Sequence, residues 1–215
     1  MKLFRLFVVA CILTFCAGRA AAQEQETPAP KTYKIYAVCD AHLDTQWNWD
    51  LTHTIREYIP RILFQNLWML ERYPDYKFNF EGGIIYRWMK EYYPLHYARL
   101  QKYIDEGRWH ISGADPMAWI ASDAVLLTPF IRNILQGQEL YKREFGVRST
   151  DIFLPDCFGF GYTLPSLAAH CGLIGFSTQK LSWRKHDFFP DAPYHKKNPF
   201  SWGVWYGIDG QSLMA

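Results

Sequence analysis

Val38-Cys39-Asp40-Ala41-His42-Leu43-Asp44-Thr45-Gln46-Trp47-Asn48-Trp49-Asp50 is the stretch on which the reading of this chain turns. It closes the apolar, β-rich run 33–39, which puts His42 and Asp44 just beyond the carboxyl end of a first strand. In parallel α/β folds, open or closed, ligands bind at that edge. Side chains alternate along extended backbone, so a His and an Asp two positions apart point the same way. A neutral imidazole and a carboxylate converging on one point suit a divalent metal, and Trp47 beside them offers a flat apolar face for a sugar. An isolated His-x-Asp also reads as a capped strand end with a surface Asp and a half-buried His. A second carboxylate further on separates the two readings.

That carboxylate is Asp156, in Leu154-Pro155-Asp156-Cys157-Phe158-Gly159-Phe160-Gly161. An apolar strand ends at Pro155, Asp156 stands at its tip, and Gly159 and Gly161 let backbone pass close to a ligand. Alone, the motif also reads as an Asp opening a Gly-rich turn. Together with His42 and Asp44 it makes a His/Asp/Asp set at the carboxyl ends of strands. Three N/O donors with coordination positions left open describe a catalytic rather than a structural zinc site.

Working outward, strands and helices alternate. The pattern predicts strands at 33–39, 76–81, 109–112, 150–155 and 173–178, and strands within 200–214 around the turn Gly207-Ile208-Asp209-Gly210. Thr54 with Glu57 resembles a capping box opening a helix through Ile62, Leu63, Leu67 and Leu70, whose regular part begins at Pro60. A second helix is expected over 84–105, broken near Pro94 and ended by Gly107. Thr128-Pro129 reads as the cap of a third, with Phe130, Ile131, Ile134, Leu135 and Tyr141 on its apolar face, and a short helix follows at 164–171. Such alternation implies a parallel sheet under helical cover. Acidic or polar residues follow each strand: Asp40 to Asp44, Glu81, Asp115, Asp156 and Gln179-Lys180. On one edge they would line a single acidic pocket. The chain stops at Ala215 in strand-like sequence, so it reads as a truncated α/β domain.

Residues 1–22 carry Lys2 and Arg5, the apolar run 6–17 and Ala20-Ala21-Ala22, the pattern of a cleavable export signal, cut after Ala22. The run is too short to span a bilayer. A lipidated Cys16 is the rival, but Phe15 is large for the residue before it. Residues 23–31 are a polar, Pro-containing linker, and 32–215 are long enough for one domain with a substantial core. Losing Lys2, Arg5 and Arg19 with the leader lowers the formal charge from +2 to −1, so nothing argues for nucleic acid. No second long apolar segment argues for a stable membrane span. Of five cysteines, Cys39, Cys157 and Cys171 remain, an odd set with no metal-type spacing.

Three segments carry a resemblance. His42-Leu43-Asp44-Thr45-Gln46-Trp47, Leu154-Pro155-Asp156-Cys157-Phe158-Gly159 and Thr178-Gln179-Lys180-Leu181-Ser182-Trp183 resemble, in order, the amino-terminal motifs of glycoside hydrolase family 38, the α-mannosidases. The resemblance implies a seven-stranded β/α barrel, of which this chain is an incomplete part, and zinc-dependent, retaining hydrolysis of α-mannoside glycans. By motif, His42 and Asp44 are implied zinc ligands, Asp156 both ligand and nucleophile, Trp47 the sugar-stacking residue, and Phe158 and Lys180 pocket residues. The family's fourth ligand, a His, and its general-acid Asp fall downstream of these motifs. The 215-residue chain is therefore expected to be inactive alone.

His170 reads as packing on its helix, and His186 and His195 lie in a polar loop outside any matching context. Cys157 lacks a His placed to activate it as a nucleophile. Glu81 and Asp115 are strand-end acids that fit a supporting or surface part better than a catalytic one. Two other readings stay open. A zinc-dependent polysaccharide deacetylase also uses Asp and His at strand ends, but wants a His-x-x-x-His pair that this sequence lacks. A non-catalytic carbohydrate-binding remnant would keep Trp47 and the metal without the acid.

Overall fold

Residues 33–113, 127–157, 160–179 and 202–215 are described by the computed structural model. The expectations for the leader 1–22, the linker 23–31, Asp115, Phe158, Lys180, His186 and His195 lie outside the described residues. Contacts divide the chain into Met1–Tyr36 and Ala37–Ala215. Of the first unit, residues 33–36 are described; they form no strand, and Ile35 is 93% exposed.

The first strand is therefore not 33–39. Strand β1 is Cys39–Ala41, three residues pairing in parallel with β2 (Phe78–Phe80), which pairs in parallel with β3 (Trp109–Ile111). Among the described residues, 33–38 pairs with no strand, and pairing rather than β-rich composition decides where a strand forms. The correction leaves the key geometry standing, because His42 directly follows β1.

Registers in this sheet are aligned: Asp40, Asn79 and His110 stand at one level, Ala41, Phe80 and Ile111 at the next. One residue on, His42, Glu81 and Ser112 leave the three strands at the same edge. Phe78, Phe80, Trp109 and Ile111 turn to one face and are buried, as the period of two requires. That face is covered by α2 (Ile59–Arg72), α3 (Gly83–Tyr92) and α5 (Leu100–Asp105), with the single turn α4 (Pro94–Tyr97) between the last two. On α2, Ile59, Leu63, Leu67 and Leu70 recur at helical spacing and are buried, each contributing roughly 1.5–3 kcal/mol. The indole N–H of Trp109 donates to the Tyr86 hydroxyl at 2.8 Å, which donates to the Phe80 carbonyl at 3.1 Å, so this core buries no orphan there.

The helical start also differs from expectation. Helix α1 (Leu51–His53) is capped by Asp50, whose carboxylate accepts from the His53 N–H at 2.8 Å. A π-helical turn (Thr54–Tyr58) follows, and α2 then starts with Pro60 in its first turn, where no N–H is needed. Thr54 is no cap. Fully buried, its hydroxyl donates to the Thr45 carbonyl at 2.7 Å and accepts from the Trp49 indole at 2.8 Å, clamping the loop that carries Trp47.

The second sheet runs β4 (Asp151–Phe153), β5 (Gly175–Ser177), β7 (Ser212–Met214), β6 (Val204–Tyr206). β4, β5 and β7 are parallel, while β6 and β7 form an antiparallel hairpin about the anticipated turn. So parallel strands predominate without being universal, and the described strands form two sheets and no closed barrel. Helix α7 (Leu164–His170) packs on the hairpin. His170 does not pack on its helix: it is exposed and pairs with Asp209 at 2.8 Å, beside a 2.5 Å bond from Ser166 to the same carboxylate.

Helix α6 (Leu127–Phe145) serves both sheets. Phe130 and Ile134 enter the core of the second, while Leu140, Tyr141 and Phe145 enter the core of the first. Leu135, expected on its apolar face, is exposed. Between β3 and β4, side chains rather than backbone make the junction: the Asp151 carboxylate meets His110 Nε2 at 3.1 Å and accepts from Ser112 at 2.5 Å. No helix among the described residues is long and apolar enough to cross a membrane.

Candidate functional site

His42 and Asp44 follow β1, and Asp156 follows β4, one ligand loop from each sheet. One donor atom from each of the three lies within 4.8 Å of the others, and all three residues are half-buried. His42 Nε2 is 3.4 Å from Asp44 Oδ1 and 4.0 Å from Asp156 Oδ2. Two carboxylates and one imidazole nitrogen, turned to a common point and reachable from solvent, are donors that fit a divalent cation with positions to spare.

The other ring nitrogen is committed. His42 Nδ1 bonds to Glu81, the residue leaving β2 at the same level, and Glu81 is 4% exposed. Burial works to lower the His42 pKa, but the hydrogen bond and charge of Glu81 and the charge of Asp44 outweigh it and push it up. Burial raises the Glu81 carboxyl, against the opposing contact with His42 and with help from the negative Asp44 and Asp151. Asp151 goes the other way: burial pushes it up, but bonds from His110, Ser112 and Ser149 hold it below the ordinary carboxylate range.

The turn carrying Asp156 is anchored on its far side by Phe160, which packs edge-on against Phe176 at 4.8 Å and lies 6.2 Å from Trp205. On the loop after Asp44, Trp47 is 67% exposed, its indole open to a ligand, while Trp49 is held by Thr54. Of the six residues singled out from sequence, the structure brings His42, Asp44 and Asp156 together and leaves Trp47 on the adjoining loop. Glu81 earned only a supporting part in the sequence. Its partner lies 39 positions earlier, and the signal that joins them is the aligned register of β1 and β2.

A family model described as the N-terminal domain of glycosyl hydrolases family 38 matches residues 32–215. Alpha-mannosidase G of Dictyostelium discoideum is 33% identical over 184 residues, covering 85% of this chain and 16% of that protein. Alpha-mannosidase 2C1 of Homo sapiens is 31% identical over 185 residues, with the same coverage. The chain thus spans about a sixth of the length of these curated relatives. An alpha-mannosidase from Enterococcus faecalis V583 superposes with a TM-score of 0.61 at 18% identity, over 82% of this chain and 19% of its own, a likeness of fold. With a family model covering nearly the whole described body, and the His/Asp/Asp cluster at its strand ends, this chain belongs to glycosyl hydrolase family 38, in its N-terminal domain.

Proposed function

We propose that the chain is the amino-terminal part of the catalytic domain of an exported, zinc-dependent, retaining α-mannosidase acting on α-mannoside glycans. The observation that carries this is the convergence of His42, Asp44 and Asp156. Donors about 2.0–2.2 Å from a tetrahedral zinc stand roughly 3.3–3.6 Å apart, which the 3.4 Å pair meets and the 4.0 Å pair approaches. Bound there, zinc would favour the charged form of a touching carboxylate and hold sugar hydroxyls. His42 and Asp44 act as ligands; Asp156 is ligand and nucleophile, attacking the anomeric carbon as the glycosidic bond breaks. Trp47 offers its exposed face to the sugar ring, and Phe158 and Lys180 complete the pocket. A retaining route also needs a carboxyl acid/base about 5 Å from the nucleophile. That part is assigned to none of the residues named here. The fold reading that goes with this is an incomplete β/α barrel of the seven-stranded type, occupying 32–215 after a leader (1–22) and a linker (23–31).

The test uses the complete open reading frame. Wild type should bind one zinc and turn over an activated aryl α-mannoside. His42→Ala and Asp44→Ala should each lose the metal, and Asp156→Ala should lose turnover by at least roughly 10³-fold with its circular dichroism unchanged. A fluorinated mannosyl trap should label Asp156. Full zinc retention in both ligand variants, or a label elsewhere, refutes the assignment. Export is checked separately, by a secreted protein whose sequence begins at Gln23.

A further inference from the structure

We propose that Glu81 is the positioning residue of this site. It fixes the His42 ring so that Nδ1–H donates to the Glu81 carboxylate and Nε2 presents its lone pair to the cation between Asp44 and Asp156. The proposal rests on the metal reading of His42, Asp44 and Asp156 and deepens it.

An imidazole has two nitrogens, and which one is free for a metal is set by what holds the other. Here the hold is built into the sheet. Register pairs Ala41 with Phe80, so the next residues, His42 and Glu81, leave adjacent parallel strands side by side. Glu81 is 4% exposed, against 20% for the His42 side chain and 24% for that of Asp44, so it sits behind the ring and not in the opening.

Its other side is closed by backbone. Gly113, at φ +67°, passes so near that an added Cβ would stand 3.2 Å from Glu81 Cβ and 3.5 Å from Oε2. The Gly113 carbonyl is held in turn by the Tyr141 hydroxyl of α6 at 3.1 Å. Glu81 therefore has little room to turn away from His42.

Charge points the same way. Glu81, Asp44 and Asp156 surround one imidazole, with Asp151 acting on Glu81 from behind. Among the described residues, Glu81 and Asp44 have His42 as their only ion-pair partner. A divalent cation at Nε2 would meet carboxylate oxygens from both Asp44 and Asp156.

The experiment uses the protein of the complete open reading frame, with zinc as probe in competition with a chelating dye, and ¹⁵N-histidine spectra of the metal-free protein with the ring neutral. Wild type should show His42 as the Nδ1–H tautomer. Glu81→Ala should move it to the Nε2–H form and weaken zinc about 10–100-fold. Glu81→Gln, whose amide oxygen still accepts from Nδ1, should recover most of the affinity. A merely structural role would not move the tautomer. An Nε2–H ring in wild type overturns the proposal without needing any variant to fold, and so does zinc affinity in Glu81→Ala within twofold of wild type. If zinc survives His42→Ala, the metal reading itself has failed, whereas loss in His42→Ala with no change in Glu81→Ala removes Glu81 alone.

Discussion

Replacing Thr54 by Val removes one hydroxyl and almost no volume. Thr54 is fully buried in the π-helical turn, and its hydroxyl is the shared partner of the Trp49 indole N–H and the Thr45 carbonyl. Val leaves both without that partner. A buried polar group that loses its hydrogen bond costs about 1–3 kcal/mol, and since Trp49 and Thr45 are half-buried the low end applies, about 1 kcal/mol each. The sum, about 2 kcal/mol, corresponds to a fall in Tm of about 4–8 °C for a domain of this size. Urea denaturation at constant slope measures it, and Trp49→Phe with the double variant completes a cycle. The two changes should couple by about 1 kcal/mol, because each removes one end of the same bond. Thr54→Val within about 0.5 kcal/mol of wild type, or a coupling near zero, would refute the clamp. On the function proposed above, the same substitution in the complete open reading frame should raise the KM for an aryl α-mannoside, since the loop released is the one bearing Trp47.

Asp151 sets an acid limit on stability. Its folded pKa lies below the unfolded value, so its contribution is complete above the ordinary carboxylate range, near pH 4, and is lost as pH falls through the folded value. Asp151→Asn should thus be less stable than wild type at about pH 5, with the gap narrowing as pH falls below about 4; denaturant melts from about pH 3 to 5 check this, and a gap that does not narrow contradicts it. Gly113→Ala forces a side chain onto a left-handed backbone and against Glu81, at a cost of about 1–3 kcal/mol. A lowered urea midpoint together with weaker zinc binding is the expected pair of results. An unchanged midpoint would show that the backbone there has room to relax.

Much of the fold is legible because period decides it. Phe78 and Phe80 alternate with Asn79, and Leu63, Leu67 and Leu70 recur at helical spacing, so β2 and α2 follow from burial alone. Where the reading missed, a tertiary partner had outvoted a local pattern. Thr54 and Glu57 have the residue types of a capping box, yet the Thr hydroxyl is taken by Thr45 and Trp49, leaving Asp50 to cap. The run 33–38 has strand composition but pairs with no strand among the described residues, and β1 begins only at Cys39, beside Phe78. His170 sits on a short helix near no obvious charge, and its pairing with Asp209 exists only because the β6–β7 turn folds back over α7. The His/Asp/Asp cluster is legible as chemistry, His and Asp at strand ends, whereas the bond from His42 to Glu81 needs the register between two strands, which no single segment encodes.

Helix α6, rooted in both cores, makes the site a matter of linkage as well as of contact. His42 and Asp44 ride on one sheet and Asp156 on the other, so their donor atoms meet only while the two sheets keep their alignment. On the metal reading proposed above, a cation there would be a strut between the two sheets. At a free concentration of 100 times its Kd it would favour the aligned state by about 2.7 kcal/mol. Coupling of this kind is reciprocal. Trimming Ile134 or Tyr141, buried on α6 and remote in sequence from every ligand, should weaken cation binding by the same free energy by which removing the cation relaxes the helix. Hydrogen exchange would then show β3 and β4 losing protection together when the cation is stripped, although neither strand's backbone bonds to the other.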